Sequence, residues 1–109
     1  MGALDDVLAA LEGFEWDQGN SDKNWQRHRV RQVQAEQVLL NRPLVVSVDL
    51  KHSQGEPRFV ALGQTDGGRQ LTVVFTVRGQ RVRVISARPM SRREQKTYGQ
   101  AQARPEADS

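Results

Sequence analysis

A chain of 109 residues is sized for one domain that buries roughly two-thirds of its unfolded surface. The lack of cysteine excludes a disulfide framework and points to a reducing compartment. Acids at Asp5 and Asp6 oppose a secretory signal, and the apolar run Val7–Leu11 is far too short to span a membrane, so a soluble, cytoplasmic protein without a membrane partner is expected.

Leu4, Val7, Leu8 and Leu11 recur at helical spacing, with Gly13 placed as a C-cap. Residues 1–13 therefore read as an amphipathic extension ahead of a main domain at 14–98. Phe14-Glu15-Trp16 alternates as a short strand does. A turn through Asp17–Asn20 leads into a helix near Ser21–His28, on which Asn24 and His28 share a face. A second helix spans about Gln32–Leu40, with Ala35, Val38 and Leu39 on its apolar side and Asn41 and Pro43 ending it.

The rest reads as antiparallel sheet: Leu44–Val48, Arg58–Leu62, Leu71–Val77 and Val82–Ala87. Asp66-Gly67-Gly68 signals one hairpin, and Gly79-Gln80 fits a two-residue type II′ loop. Counting outward from that loop sets Val77 opposite Val82 and Phe75 opposite Val84. Leu71, Val73, Phe75 and Val77 then share an apolar, helix-covered face with Val82, Val84, Ser86 and Arg88. Thr72, Val74, Thr76, Arg83, Ile85 and Ala87 share the open face. Arg88 on the apolar face requires a carboxylate or carbonyl partner, or a bulge that turns it outward. Ser91-Arg92-Arg93-Glu94 has the form of a capping box opening a helix to about Tyr98. Residues 99–109 offer almost nothing to bury and read as a disordered tail. The expected class is α+β, a four- to five-stranded antiparallel sheet with helices packed on one face.

The net charge is only +3, but thirteen of the sixteen bases are arginine, and seven bases fall between Arg78 and Lys96. Arginine presents a rigid donor fork that matches phosphate oxygens. Such a cluster is either a nucleic-acid footprint or a solvated basic edge. No phosphate-binding glycine loop, nucleophile elbow or zinc-protease spacing is present, and no metal or cofactor is expected. His52, between Lys51 and Ser53, reads as a solvated loop residue. Metal-free RNA cleavage needs charge stabilisation and proton transfer, which arginine and histidine supply at neutral pH. His28 in Lys23-Asn24-Trp25-Gln26-Arg27-His28-Arg29 is either that proton carrier or a helix-end residue facing the macrodipole. Trp16 and Trp25 read more readily as core than as stacking platforms.

Phe14-Glu15-Trp16-Asp17, Lys23-Asn24-Trp25 with Arg27-His28, and Val73-Val74-Phe75-Thr76 with Arg78-Gly79 resemble the BrnT toxins. So does the run from Ile85-Ser86-Ala87-Arg88 through Ser91-Arg92-Arg93-Glu94 to Tyr98. Arg29 stands where many members carry glycine. The resemblance implies a RelE-like fold, a growth-arresting endoribonuclease and neutralisation by a BrnA-type antitoxin. An arginine-rich face that must be kept from RNA predicts an acidic partner, in a complex of two toxins with two antitoxins. Operator DNA would be bound only through the antitoxin. The resemblance supports catalytic roles for His28, Arg58, Arg88 and Glu94, with Arg93 beside the last; Lys23, Arg83, Arg92 and Arg93 are the expected RNA contacts. For Glu94 a purely capping role reads equally well. The competing functions are a catalytically silent toxin-like protein in an operator-binding complex and an unrelated RNA-binding module. Convergence of His28, Arg58 and Arg88 separates cleavage from binding alone.

Overall fold

The computed structural model describes residues 13–49, 51 and 55–103. The expected Leu4–Leu11 helix, His52 and residues 104–109 of the expected tail lie outside them. In chain order come β1 (Gly13–Trp16), α1 (Gln18–His28), α2 (Gln32–Leu40), β2 (Val45–Val48), β3 (Phe59–Gln64), β4 (Gln70–Arg78), β5 (Arg81–Pro89) and α3 (Arg92–Ala103). The strands form one sheet in the order β1-β5-β4-β3-β2. All neighbours are antiparallel except β1, which runs parallel to β5 from Gly13 opposite Arg81 to Trp16 opposite Val84. The sheet is thus mixed rather than antiparallel throughout.

The β4–β5 hairpin turns at Gly79, whose φ of 59° is the left-handed value that the first position of a type II′ turn demands. Val77 faces Val82 and Phe75 faces Val84, as the loop predicts. Beyond that point the register slips between Val74 and Phe75, because Ile85 is an extra residue: Val74 pairs with Ser86, Val73 with Ala87 and Thr72 with Arg88. The bulge exchanges the two faces of the strand's second half. Ala87 is buried with Val73, while Ser86 and Arg88 turn to the opposite side.

The main core lies between the sheet and the first two helices. Val30, Ala35, Val38 and Leu39 pack against Ala61, Leu71, Val73, Phe75, Val82, Val84 and Ala87. Burying each larger side chain among these contributes roughly 1.5–3 kcal/mol. α2 approaches β3 so closely that a Cβ on Gly63 would stand 2.8 Å from a Val38 methyl. α3 lies on the other face, where Tyr98 and Met90 bury Leu62 and the Tyr98 hydroxyl donates to the Pro43 carbonyl at 2.7 Å. The helices therefore occupy both faces. α3 also continues through Gly99–Ala103, five residues into the expected tail, because Gln and Ala sustain a helix already started.

Candidate active site

α1 begins three residues earlier than expected. Asp17 is its N-cap, with Oδ1 accepting the Asn20 amide at 3.0 Å, so the predicted turn is the first turn of the helix. Because β1 stops at Trp16, opposite Val84, the outer edge of β5 is free beyond that residue, and α1 crosses it. Asn24, buried on α1, takes over the missing ladder bond: its Oδ1 accepts the Ala87 amide at 3.2 Å. Its amide nitrogen is buried without an acceptor.

A cleft of about 230 Å³ opens at this crossing. Its lining is Asn20, Lys23, Asn24, Arg27, His28, Ile85 and Ser86. No carboxylate is among them. His28 is half-buried at the end of α1, one turn after Asn24, so the shared face expected from their spacing is what presents both to the cleft.

The helix end that carries His28 is fixed from outside. Arg29 takes the left-handed conformation, φ 54°, which glycine would adopt without strain. Arg69, on the β3–β4 hairpin loop, donates to the His28 carbonyl at 2.7 Å and to the Arg29 carbonyl at 2.7 Å. These satisfy carbonyls that a helix end leaves open. No local spacing in the sequence announces that contact.

Arg88 and Glu94 form the second cluster. The Arg88 guanidinium grips Glu94 with two bonds of 2.7 and 2.9 Å. Glu94 also accepts the Ser91 amide at 2.8 Å and the Thr72 hydroxyl at 3.0 Å, while the Ser91 hydroxyl accepts the Glu94 amide at 3.2 Å. The capping box is present, and Arg88 is both turned outward by the bulge and paired with a carboxylate. Arg88 above all, with the Ser91 and Thr72 bonds, holds the Glu94 carboxyl down to about 2.

The remaining candidates scatter. Arg83 bridges Glu15 at 3.4 Å and Asp17 at 3.3 Å, which ties β5 to β1. Arg58, just ahead of β3, comes level with Thr76 and Arg83. That row is four residues of β4, about 13 Å, from the Thr72–Arg88 row. Arg92 and Arg93 are exposed on the first turn of α3. His28, Arg58 and Arg88 do not share one pocket: the His28 cleft is lined by neither arginine. Arg88 is nonetheless only two residues, about 7 Å, from the cleft residue Ser86 and on the same side of β5. Trp16 packs against the core with its indole N–H on Glu36 at 2.8 Å, whereas Trp25 is exposed.

The class of protein is that of the small ribonuclease toxins. Residues 16–94 match the family model described as the ribonuclease toxin BrnT of type II toxin-antitoxin systems. This chain belongs to that BrnT family, whose members are paired with an antitoxin. The fold also matches the crystal structure of the Brucella abortus ribonuclease toxin BrnT, with a TM-score of 0.53 and 23% identity over 73% of this chain and 97% of that one. No curated protein matches the sequence. No described helix is long and apolar enough to cross a membrane.

Proposed function

We propose that this protein is a metal-independent endoribonuclease whose reaction centre is the His28 cleft. The convergence of His28, Arg58 and Arg88 expected to mark cleavage is not formed, so the reading rests on a different set, Lys23, Asn24, Arg27 and His28. One observation carries the reading: Lys23, Arg27 and His28 meet a buried, acceptor-less Asn24 amide in a pocket without a carboxylate. Such a pocket favours an anion, and a phosphodiester supplies the acceptor that Asn24 lacks. His28 takes the proton of a ribose 2′-hydroxyl, and the 2′-oxygen attacks the adjacent phosphorus. Lys23, Arg27 and the Asn24 amide stabilise the charge on the pentacoordinate phosphate. The bond to the 5′-oxygen breaks, and that oxygen takes the proton back from the imidazolium. The products end in a 2′,3′-cyclic phosphate and a 5′-hydroxyl.

Arg88 is assigned to the neighbouring stretch of RNA, with Glu94 holding it in place rather than moving protons: a carboxyl held down to about 2 has little proton affinity at neutral pH. Arg92 and Arg93 extend this contact, and Arg58 and Arg83 serve the RNA backbone further along the sheet. A BrnA-type antitoxin neutralises the enzyme in a complex of two copies of each, and operator DNA is reached through the antitoxin.

The test is cleavage of a single-stranded RNA by purified protein in excess EDTA, with the new ends identified. Cyclic phosphate and 5′-hydroxyl ends are expected at an undiminished rate. Loss of cleavage in EDTA overturns the metal-free chemistry, and no cleavage under any condition leaves the silent binding protein.

A further inference from the structure

On the other flank of α1, sharing no lining residue with the His28 cleft, lies an open groove of about 370 Å³ bounded by Ser21, Trp25, Val30, Arg31, Gln32 and Val33. Two of these residues are large apolar side chains left in solvent, Trp25 at 37% and Val33 at 52% exposure. The Arg29 guanidinium stands 5.1 Å from the centre of the Trp25 ring and that of Arg31 4.6 Å. Among the described residues neither guanidinium has a carboxylate partner.

We infer that this groove is the docking site for an acidic segment of a partner protein, one that inserts an aliphatic side chain beside Trp25 and Val33 and sets flanking carboxylates on Arg29 and Arg31. The inference rests on the antitoxin reading above and names the surface that the antitoxin uses. Tryptophan and arginine are the residue types that concentrate binding energy at protein interfaces. Guanidinium groups already held over an indole lose little freedom on pairing with a carboxylate. Two of the lining residues, Val30 and Val33, are aliphatic, which suits an aliphatic side chain of a peptide. The groove and the cleft flank the same helix, so a segment anchored here can extend across His28.

The experiment co-expresses this chain with the protein encoded by the neighbouring reading frame. It measures co-purification and affinity, rescue of growth, and binding of a labelled single-stranded RNA. Trp25→Ala and Arg31→Glu should still bind RNA and arrest growth, while affinity for the partner falls about 30-fold or more and rescue is lost. The indole N–H signal of Trp25 should move when partner is added to the wild-type chain. Val48→Thr, on the exposed β2 edge, should remain fully neutralised. Wild-type complex formation with unchanged affinity in both groove variants overturns the surface and leaves the antitoxin reading intact. Failure of the wild-type chain to bind overturns both. Weakened RNA binding with normal partner affinity makes the groove a nucleotide site. A shift of the Trp25 signal on deleting residues 1–12 makes the chain's own N-terminal segment the occupant, and each of these results defeats the proposal.

Discussion

Two polar clusters lie within a few residues of each other on β5, and they are opposites. At Arg88–Glu94 every strong group is matched: the guanidinium has both carboxylate oxygens, and the carboxylate also holds a hydroxyl and an amide. At the His28 cleft, cationic side chains and one buried amide face a pocket with no acid in its lining. Matched groups stabilise a fold, because leaving one unpaired costs more than the pair itself contributes. Unmatched donors in a cleft are retained for something that is not part of the chain. On the function proposed above, the first cluster is architecture that presents an arginine, and the second is where the chemistry would take place.

The sharpest way to break this contrast is His28→Ala, which should lower single-turnover RNA cleavage by about 10²–10⁴-fold with an unchanged melting temperature. Cleavage at the native rate would return His28 to a helix-end role and send the search for a proton carrier to Lys23. Arg69→Ala should be the next largest effect on the reaction. With the His28 and Arg29 carbonyls released, kcat should fall about tenfold or more, in line with the steep penalty of small misplacements, while KM changes little. Arg69→Lys should restore part of it. Equal loss of kcat in a variant that is merely less stable at the assay temperature would be exposed by repeating the assay in the cold.

Glu94→Gln should act on stability first. It should cost up to about 3 kcal/mol in urea unfolding, the ceiling that linkage sets for a carboxyl held that far below its ordinary range. The sign follows from the lowered value: the folded state gains from the ionised carboxylate above about pH 4.5, and that gain is lost as pH falls toward about 2. The variant should therefore flatten the acid limb of the stability curve. A large loss of cleavage in folded Glu94→Gln whose pH profile also shifts would instead make the carboxylate a participant. Arg29→Gly should be the smallest change. Relief of the left-handed strain and loss of the contact with Trp25 nearly cancel, so stability should move by less than about 1 kcal/mol.

Local chemistry was legible in the sequence. The Gln32–Leu40 helix, the Gly79-Gln80 turn with its flanking pairs, the Ser91–Glu94 capping box and the face shared by Asn24 and His28 each depend on neighbours a few positions away. What escaped it depends on distant partners. β1 pairs in parallel with a strand nearly seventy residues later, and no periodicity encodes direction. The bulge at Ile85 needs no special residue, so the register could be counted correctly to Val84 and not beyond. Its existence was signalled only indirectly, by an arginine on a face where none could stay. Asn24 could have been suspected as a polar residue one turn from His28 on a helix that must cover the strand edge a four-residue β1 leaves bare. Arg69 gave no signal at all, since its partners are main-chain carbonyls forty residues away.

The central claim is that the His28 cleft, and not the arginine row at the far end of the sheet, holds the reacting phosphate. The most direct measurement is an NMR titration with a 2′-O-methylated, uncleavable oligoribonucleotide, following the ring signals of His28 and the guanidinium signals of Arg27, Arg58 and Arg83. The account predicts that His28 and Arg27 respond first and with the largest shifts. Saturating shifts at Arg58 and Arg83 while His28 stays unmoved would contradict it.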